Sequence, residues 1–272
     1  MVIKTRGDIM QDVSLSRIGG KGIFVKEIEE ALLRGDIDLA VHSMKDVPVE
    51  LPEGLEIFLT PKREDPLDAL ISRDGLSIEA LPEGARIGTG SLRRGIQIAN
   101  RFERICVTSI RGNLDTRIRK VDDGLLEGVI VAAAGMRRMG WAERITQPLT
   151  ADLMLPAPCQ GILGIENRKG DPLALSLQFL RDEQTWREMT AERAFLSRLG
   201  GGCQLPVAAL ARTTDRDIQI NALIGSLDGK TIIRRSIAGP LEEAARLGDA
   251  LARNLLDAGG RDILDDVYQS AQ

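Results

Sequence analysis

The chain has 272 residues, 43% hydrophobic and 28% charged, which is enough apolar material for two or three packed cores and too much for a disordered chain. No apolar run reaches the roughly 18 residues that a membrane helix needs, and Met1 to Asp8 lacks the basic-then-apolar layout of a signal peptide; a cytoplasmic protein is expected. A net charge of -4 with 3% aromatics argues against nucleic acid as a partner, and Cys106, Cys159 and Cys203 can neither pair completely nor form a closely spaced zinc site, so no metal is expected.

The charge is segregated. Between Arg86 and Lys120 there are nine basic residues and two acidic ones, so this stretch carries +7 while the remainder carries -11. A local anion site is the simplest use for such a patch.

Periodicity predicts a helix from Phe24 to Arg34, stopped at Gly35, then a short strand over Ile37 to Val41 and a loop from Ser43 to Pro48. Gly54 to Leu59 reads as another strand, and the charges and prolines of Thr60 to Asp68 read as a crossing between domains. A strand-then-helix pattern then occurs three times, from Arg86, from Ile105 and from Gly128, which predicts a parallel sheet covered by helices. Gly128 to Ala134 has no polar face and is expected to be buried on both sides, and Cys106 reads as strand core. Beyond Gln184 the pattern changes. A helix over Thr185 to Leu199 is followed by three strand-like runs, Val207 to Arg212, Ile218 to Ile224 and Thr231 to Ile237, and a closing helix from Leu241 to Leu256, which makes a small α+β domain with antiparallel strands.

In open parallel sheets ligands bind beyond the carboxyl ends of the strands, and here the basic groups collect at that edge: Lys45 beside Asp46, Arg93 with Arg94, Arg111, and Arg138. Ser91 is a plausible N-cap, which places Arg93 and Arg94 in a first helical turn where the helix dipole disfavours each cation by about 0.3 to 1 kcal/mol. A bound carboxylate or phosphate would reverse that penalty; a solvated charged face is the alternative. Arg117, early in the next helix, repeats the anomaly. Lys45 and Asp46 fit either an ordinary turn or a carboxylate that stabilises a cationic intermediate, and His42, with no evident partner, reads as structural. Cys203, after Gly200-Gly201-Gly202, fits either a small apolar residue past a capped helix or an accessible thiol on a mobile arm.

Taken in order, Gly19-Gly20-Lys21-Gly22 with Phe24-Val25-Lys26-Glu27, Ala40 to Pro48, Arg63-Glu64-Asp65-Pro66, Gly88-Thr89 with Ser91-Leu92-Arg93-Arg94, Arg111-Gly112-Asn113 and Gly201-Gly202-Cys203 resemble the hydroxymethylbilane synthase (porphobilinogen deaminase) family over nearly the whole chain. The resemblance implies a monomer of two periplasmic-binding-protein-like lobes plus a C-terminal α+β domain with a small antiparallel sheet. Residues 1–62 and 162–180 would form domain 1, residues 66–156 domain 2 with a parallel sheet, and residues 184–272 domain 3. It implies a transferase that deaminates four porphobilinogen units and joins them head to tail into hydroxymethylbilane, on a dipyrromethane cofactor held through a thioether to Cys203. Asp46 would be the catalytic carboxylate; Lys45, Arg93, Arg94, Arg111, Arg117 and Arg138 would bind acetate and propionate groups; Thr89 and Ser91 would add hydroxyl donors; Lys21 would lie in a glycine-rich loop by the site and Gln160 in the hinge.

Departures from the family pattern carry expectations of their own. The family's first strand, with its Arg-x-Ser-x-Leu-Ala run, and its first helix lie upstream of the segment matching Lys4 to Asp8, so domain 1 is expected to lack one strand of a parallel sheet and two cofactor contacts. Gly90 drops a hydroxyl from the usual Gly-Thr-Ser-Ser-Leu-Arg-Arg run, Cys159 replaces a usual glycine and implies unusual backbone there, and Arg17 keeps the charge of a usual lysine. A non-catalytic, two-lobed anion-binding module derived from the family is the alternative reading.

Overall fold

The computed structural model describes residues 3, 25–201 and 205–270; Lys21, Arg17 and Cys203 lie outside the described residues. The first region contains helix α1 (Lys26–Arg34), strand β1 (Ala40–Ser43), a single 3-10 turn at Met44–Asp46 and strand β2 (Leu55–Leu59). The second contains β3 (Asp68–Ser72), β4 (Arg86–Gly88), α2 (Leu92–Arg101), β5 (Cys106–Thr108), α3 (Leu114–Asp122), β6 (Gly128–Ala132), α4 (Ala133–Arg138) and β7 (Gln147–Leu149). The chain then returns through β8 (Leu163–Arg168) and the short α5 (Leu173–Ser176) to helix α6 (Glu183–Arg198). The last region is β9 (Val207–Thr213), β10 (Asp217–Gly225), β11 (Ile232–Pro240), α7 (Ala244–Leu255) and α8 (Arg261–Ser270).

Three sheets organise these elements. In the first, β8 lies between β1 and β2 and is antiparallel to both, with Ala40 opposite Glu166 and Leu55 opposite Arg168. α1 covers one face because its spacing puts Leu32 against Ala40 and Leu55, and it stops at Gly35. The sheet of the first region is therefore not a parallel one among the described residues.

The second sheet has the order β5-β4-β6-β3-β7. The three repeated units form its parallel part, with β4 between β5 and β6, but β3 runs antiparallel to β6 and β7, so the sheet is mixed rather than parallel. Residues 60–67 bring the chain in beside β6 from the opposite direction, which periodicity alone does not encode. β6 is central and covered on both faces, as its apolar run predicts, although the strand ends at Ala132 and α4 starts at once. β5 is an edge strand, so Cys106 is exposed and is not core.

The third sheet is antiparallel, with β10 at its centre, and its inner face packs on α6 and α7 through Phe195, Ile218, Ile220, Leu247 and Leu251. Gly248 permits the helices to approach closely, since a Cβ there would run into the carbonyl oxygen of Ala191. The closing helix predicted to stop at Leu256 does not end the unit: the chain kinks at Gly259 (φ 104°) and continues as α8, which returns Leu264 and Val267 to the same core.

Candidate functional site

The site is assembled where three strands end. At the end of β1 the 3-10 turn is pinned by buried Met44, whose amide donates to Ile162 O at 3.0 Å and whose carbonyl accepts from Val47 N. The turn leaves Asp46 exposed and Lys45 half-buried beside it. At the end of β4, Thr89 N donates to Thr108 O, Ser91 N donates to Thr89 Oγ1 at 3.1 Å, and Ser91 Oγ caps α2 by accepting from Arg94 N at 3.5 Å. A Cβ at Gly90 would come within 2.6 Å of Ile110 O, so the backbone approach that seats this turn leaves no room for the missing hydroxymethyl group. Past β5, Arg111 is half-buried, and Arg117 Nε donates to Gly112 O at 2.7 Å.

Asp68, fully buried at the head of β3, is the residue that gathers the arginines. Its Oδ1 accepts from Arg94 Nε (3.0 Å) and Nη2 (2.7 Å) and from Gln160 Nε2 (2.9 Å), and its Oδ2 accepts from Arg93 Nη1 (2.7 Å). Arg94 Nη1 donates to Ile130 O, and Arg93 Nη1 also donates to Leu155 O. Only 4% of Arg93 and 5% of Arg94 is exposed. The penalty of two cations in a first helical turn is therefore offset by an internal carboxylate, a partner named by neither the bound-anion nor the solvated-face reading.

The electrostatics mark one neighbourhood. Burial pulls the Lys45 amine down, Arg94 and Arg93 add to this, and Asp46 and Asp68 oppose it. Burial also lowers Arg117, joined by repulsion from Arg94 and Arg111 and opposed by Asp46. Burial alone would raise the Asp68 carboxyl, but the guanidiniums of Arg93 and Arg94 reverse this and hold it well below the usual range. Lys45, Asp46, Arg93, Arg94, Arg111 and Arg117 thus sense one another across elements far apart in sequence. Cations crowded in this way want an anionic ligand.

Gln160 and Arg138 sit differently. Gln160 is buried in the crossing, donating to Pro66 O as well as Asp68, and Arg138 Nη2 donates to Gly161 O at 2.8 Å from an exposed position. His42 is buried with Nε2 2.8 Å from Glu166 Oε2, in keeping with a structural part. Cys159 is buried with φ 62°, the left-handed backbone that its replacement of a glycine implies. Among the described residues no cluster of three His, Cys, Asp or Glu side chains could hold a metal, and no helix is long and apolar enough to cross a membrane.

Sequence reasoning missed two residues. Asp68 carried a signal, a carboxylate opening the apolar run Ala69-Leu70-Ile71. Arg63 stands in a family-like run, but nothing in the sequence marks its role: it donates from Nη1 to Glu188 (3.0 Å) and Glu192 (2.8 Å), and from Nε to Gln160 O (2.9 Å).

Fold and site together define an α/β protein with a cation-lined cluster at strand ends and a C-terminal antiparallel unit. Residues 1–176 match the family model "Porphobilinogen deaminase, dipyromethane cofactor binding domain", and residues 186–257 match "Porphobilinogen deaminase, C-terminal domain". The porphobilinogen deaminase of Syntrophus aciditrophicus is 57% identical over 98% of this chain and 88% of its own length; that of Trichlorobacter lovleyi is 50% identical over 98% and 86%. A periplasmic binding protein of Salmonella typhimurium has a fainter likeness in outline, with TM-score 0.32 and 14% identity over 58% of this chain and 70% of its own. The chain belongs to the porphobilinogen deaminase (hydroxymethylbilane synthase) family, enzymes of tetrapyrrole synthesis.

Proposed function

We propose that the chain deaminates porphobilinogen and joins four units into hydroxymethylbilane, with a dipyrromethane cofactor tethered through Cys203. One observation carries the reading: Asp46 shares a neighbourhood with Lys45, Arg93, Arg94, Arg111 and Arg117, where burial and repulsion between cations disfavour the charged forms of Lys45 and Arg117. A pyrrole bearing acetate and propionate groups supplies negative charge there. The donor set therefore fits the cofactor, which when bound supplies the pyrrole α-carbon on which the chain grows.

Arg93, Arg111, Arg117 and Lys45 hold carboxylates, and each bound carboxylate favours the charged form of the buried Lys45 amine. Asp46, exposed at the turn, accepts a pyrrole N–H and stabilises positive charge that develops on it. Thr89 and Ser91 shape the helix entry and Arg94 holds it, while Gln160 and Arg138 act at the crossing and Lys21 from the glycine-rich loop. The reading divides the chain into domain 1 (1–62 and 162–180), domain 2 (66–156) and domain 3 (184–272), and makes it a cytoplasmic monomer.

The test is intact-mass measurement on protein made in a porphobilinogen-competent cell. The expected result is an adduct the size of a dipyrromethane that Cys203→Ser abolishes. Unmodified Cys203 in a protein that releases no ammonia from porphobilinogen would sink the proposal.

A further inference from the structure

We infer that Asp68 is a positioning residue of the anion site, holding the Arg93 guanidinium by one nitrogen so that its remaining edge faces a ligand carboxylate. The inference rests on the functional reading above and goes beyond it by making the twin arginines unequal. Arg93 Nη1 spends both hydrogens, on Asp68 Oδ2 (2.7 Å) and Leu155 O (2.8 Å). Among the described residues Arg93 Nε and Nη2 make no hydrogen bond, although the side chain is only 5% exposed. Those two nitrogens form the edge that matches a carboxylate in bidentate fashion. The same edge of Arg94 is already spent on Asp68 Oδ1, and its Nη1 on Ile130 O.

Charge agrees with geometry. One carboxylate between two guanidiniums leaves the pair a single net positive charge, enough for one ligand carboxylate. Asp68 is itself held by four hydrogen bonds from three residues, Gln160 Nε2 adding one at 2.9 Å, so it offers Arg93 one fixed anchor point. Arg94 serves as the counter-cation that keeps Asp68 in place, and Arg93 is the donor.

The experiment compares wild type with Asp68→Asn, Asp68→Glu, Arg93→Lys and the Asp68→Asn/Arg93→Lys double variant. It measures kcat/KM for porphobilinogen and the rise in melting temperature with citrate as a free carboxylate probe. Asp68→Asn and Arg93→Lys should each lower kcat/KM at least about tenfold, the scale of one charge-assisted bidentate contact, and each should lose most of the citrate shift. The double variant should fall no more than about threefold below the worse single one, because both remove the same aimed edge. A folded Asp68→Asn with wild-type kinetics and citrate shift, or losses that multiply in full, would overturn the assignment. If Asp68→Asn does not fold, Asp68→Glu decides: it keeps the charge but moves the anchor by a methylene, and a wild-type citrate shift in it refutes the positioning role. Wild-type protein that responds to citrate through Asp68 yet leaves porphobilinogen untouched would remove the functional reading and leave the role of Asp68 standing.

Discussion

Replacing Arg63 by methionine takes the cation out of a junction where two carboxylates face it. Glu192 is fully buried and Glu188 nearly so, and Arg63 reaches them at 2.8 and 3.0 Å. The same carboxylates accept backbone amides: Ala211 N at 2.7 Å and Cys159 N on Glu192, and Thr213 N at 3.2 Å on Glu188. Removing one partner of a buried pair costs about 3 to 5 kcal/mol, because the other charge stays buried and uncompensated. At about 2 to 4 °C per kcal/mol for a chain of this size, the melting temperature should fall by on the order of 10 °C. Burial raises the Glu192 carboxyl above its usual range, and Arg63 opposes that rise, so the variant raises it further. A folded-state pKa above the unfolded one means that stability is full below the ordinary carboxylate range and is lost as pH climbs toward the folded value. The deficit of Arg63→Met should therefore be small at pH 5 and large at pH 8, and adding Glu192→Gln should recover part of it at pH 8. Thermal melts of both variants at the two pH values provide the measurement. A deficit equal at both, or below about 1 kcal/mol, would refute the reasoning.

Asp46→Ala should leave the melting temperature within a few degrees of wild type, since the side chain is exposed, while turnover of porphobilinogen falls by about 10² to 10³, the scale of losing one electrostatic stabiliser. Ammonia release near the wild-type rate would take Asp46 out of the mechanism. Glu29 is raised from 4.5 to about 7, first by burial and then by Glu166, with His42 opposing, so the wild type should lose stability as pH rises from about 4.5 to about 7. Glu29→Gln should match wild type at pH 4.5 and exceed it at pH 8 by on the order of 1 to 3 kcal/mol, and equal pH slopes in chemical denaturation would count against this.

What could be read beforehand divides by range of interaction. The helices and the antiparallel unit follow from local periodicity and turn chemistry, and Ser91 was placed as a cap because its effect is confined to the next three residues. The direction of β3 and β7 in the second sheet depends on how residues 60–67 and 145–149 return to it, and no local pattern carries that. The cations of the site were legible as residue types at strand ends. Their difference was not: Arg93 and Arg94 are neighbours in sequence, and Asp68, distant from both, pairs with one through a single nitrogen and with the other through two. Cys106 is exposed despite its apolar flanks because an apolar pattern does not distinguish an edge strand from a central one.

The three residues Cys159, Gln160 and Gly161 join these observations. Gln160 gives its amide nitrogen to Asp68 and its carbonyl to Arg63; Cys159 gives its backbone N–H to Glu192; Gly161 O accepts from Glu64 N and Arg138 Nη2. One short run thus touches the carboxylate that orients the arginines, the crossing segment, and α6, which leads in sequence through Gly200 and Gly201 to Cys203. The left-handed backbone at Cys159 costs about 1 to 2 kcal/mol for a residue with a Cβ, so the bonds on either side must hold it there. A displacement of α6 acts on Cys159 N through Glu192, and a displacement of the arginines acts on Gln160 through Asp68. The helix that precedes Cys203 in sequence and the carboxylate that pairs with Arg93 and Arg94 are thus both hydrogen-bonded to adjacent residues, Cys159 and Gln160.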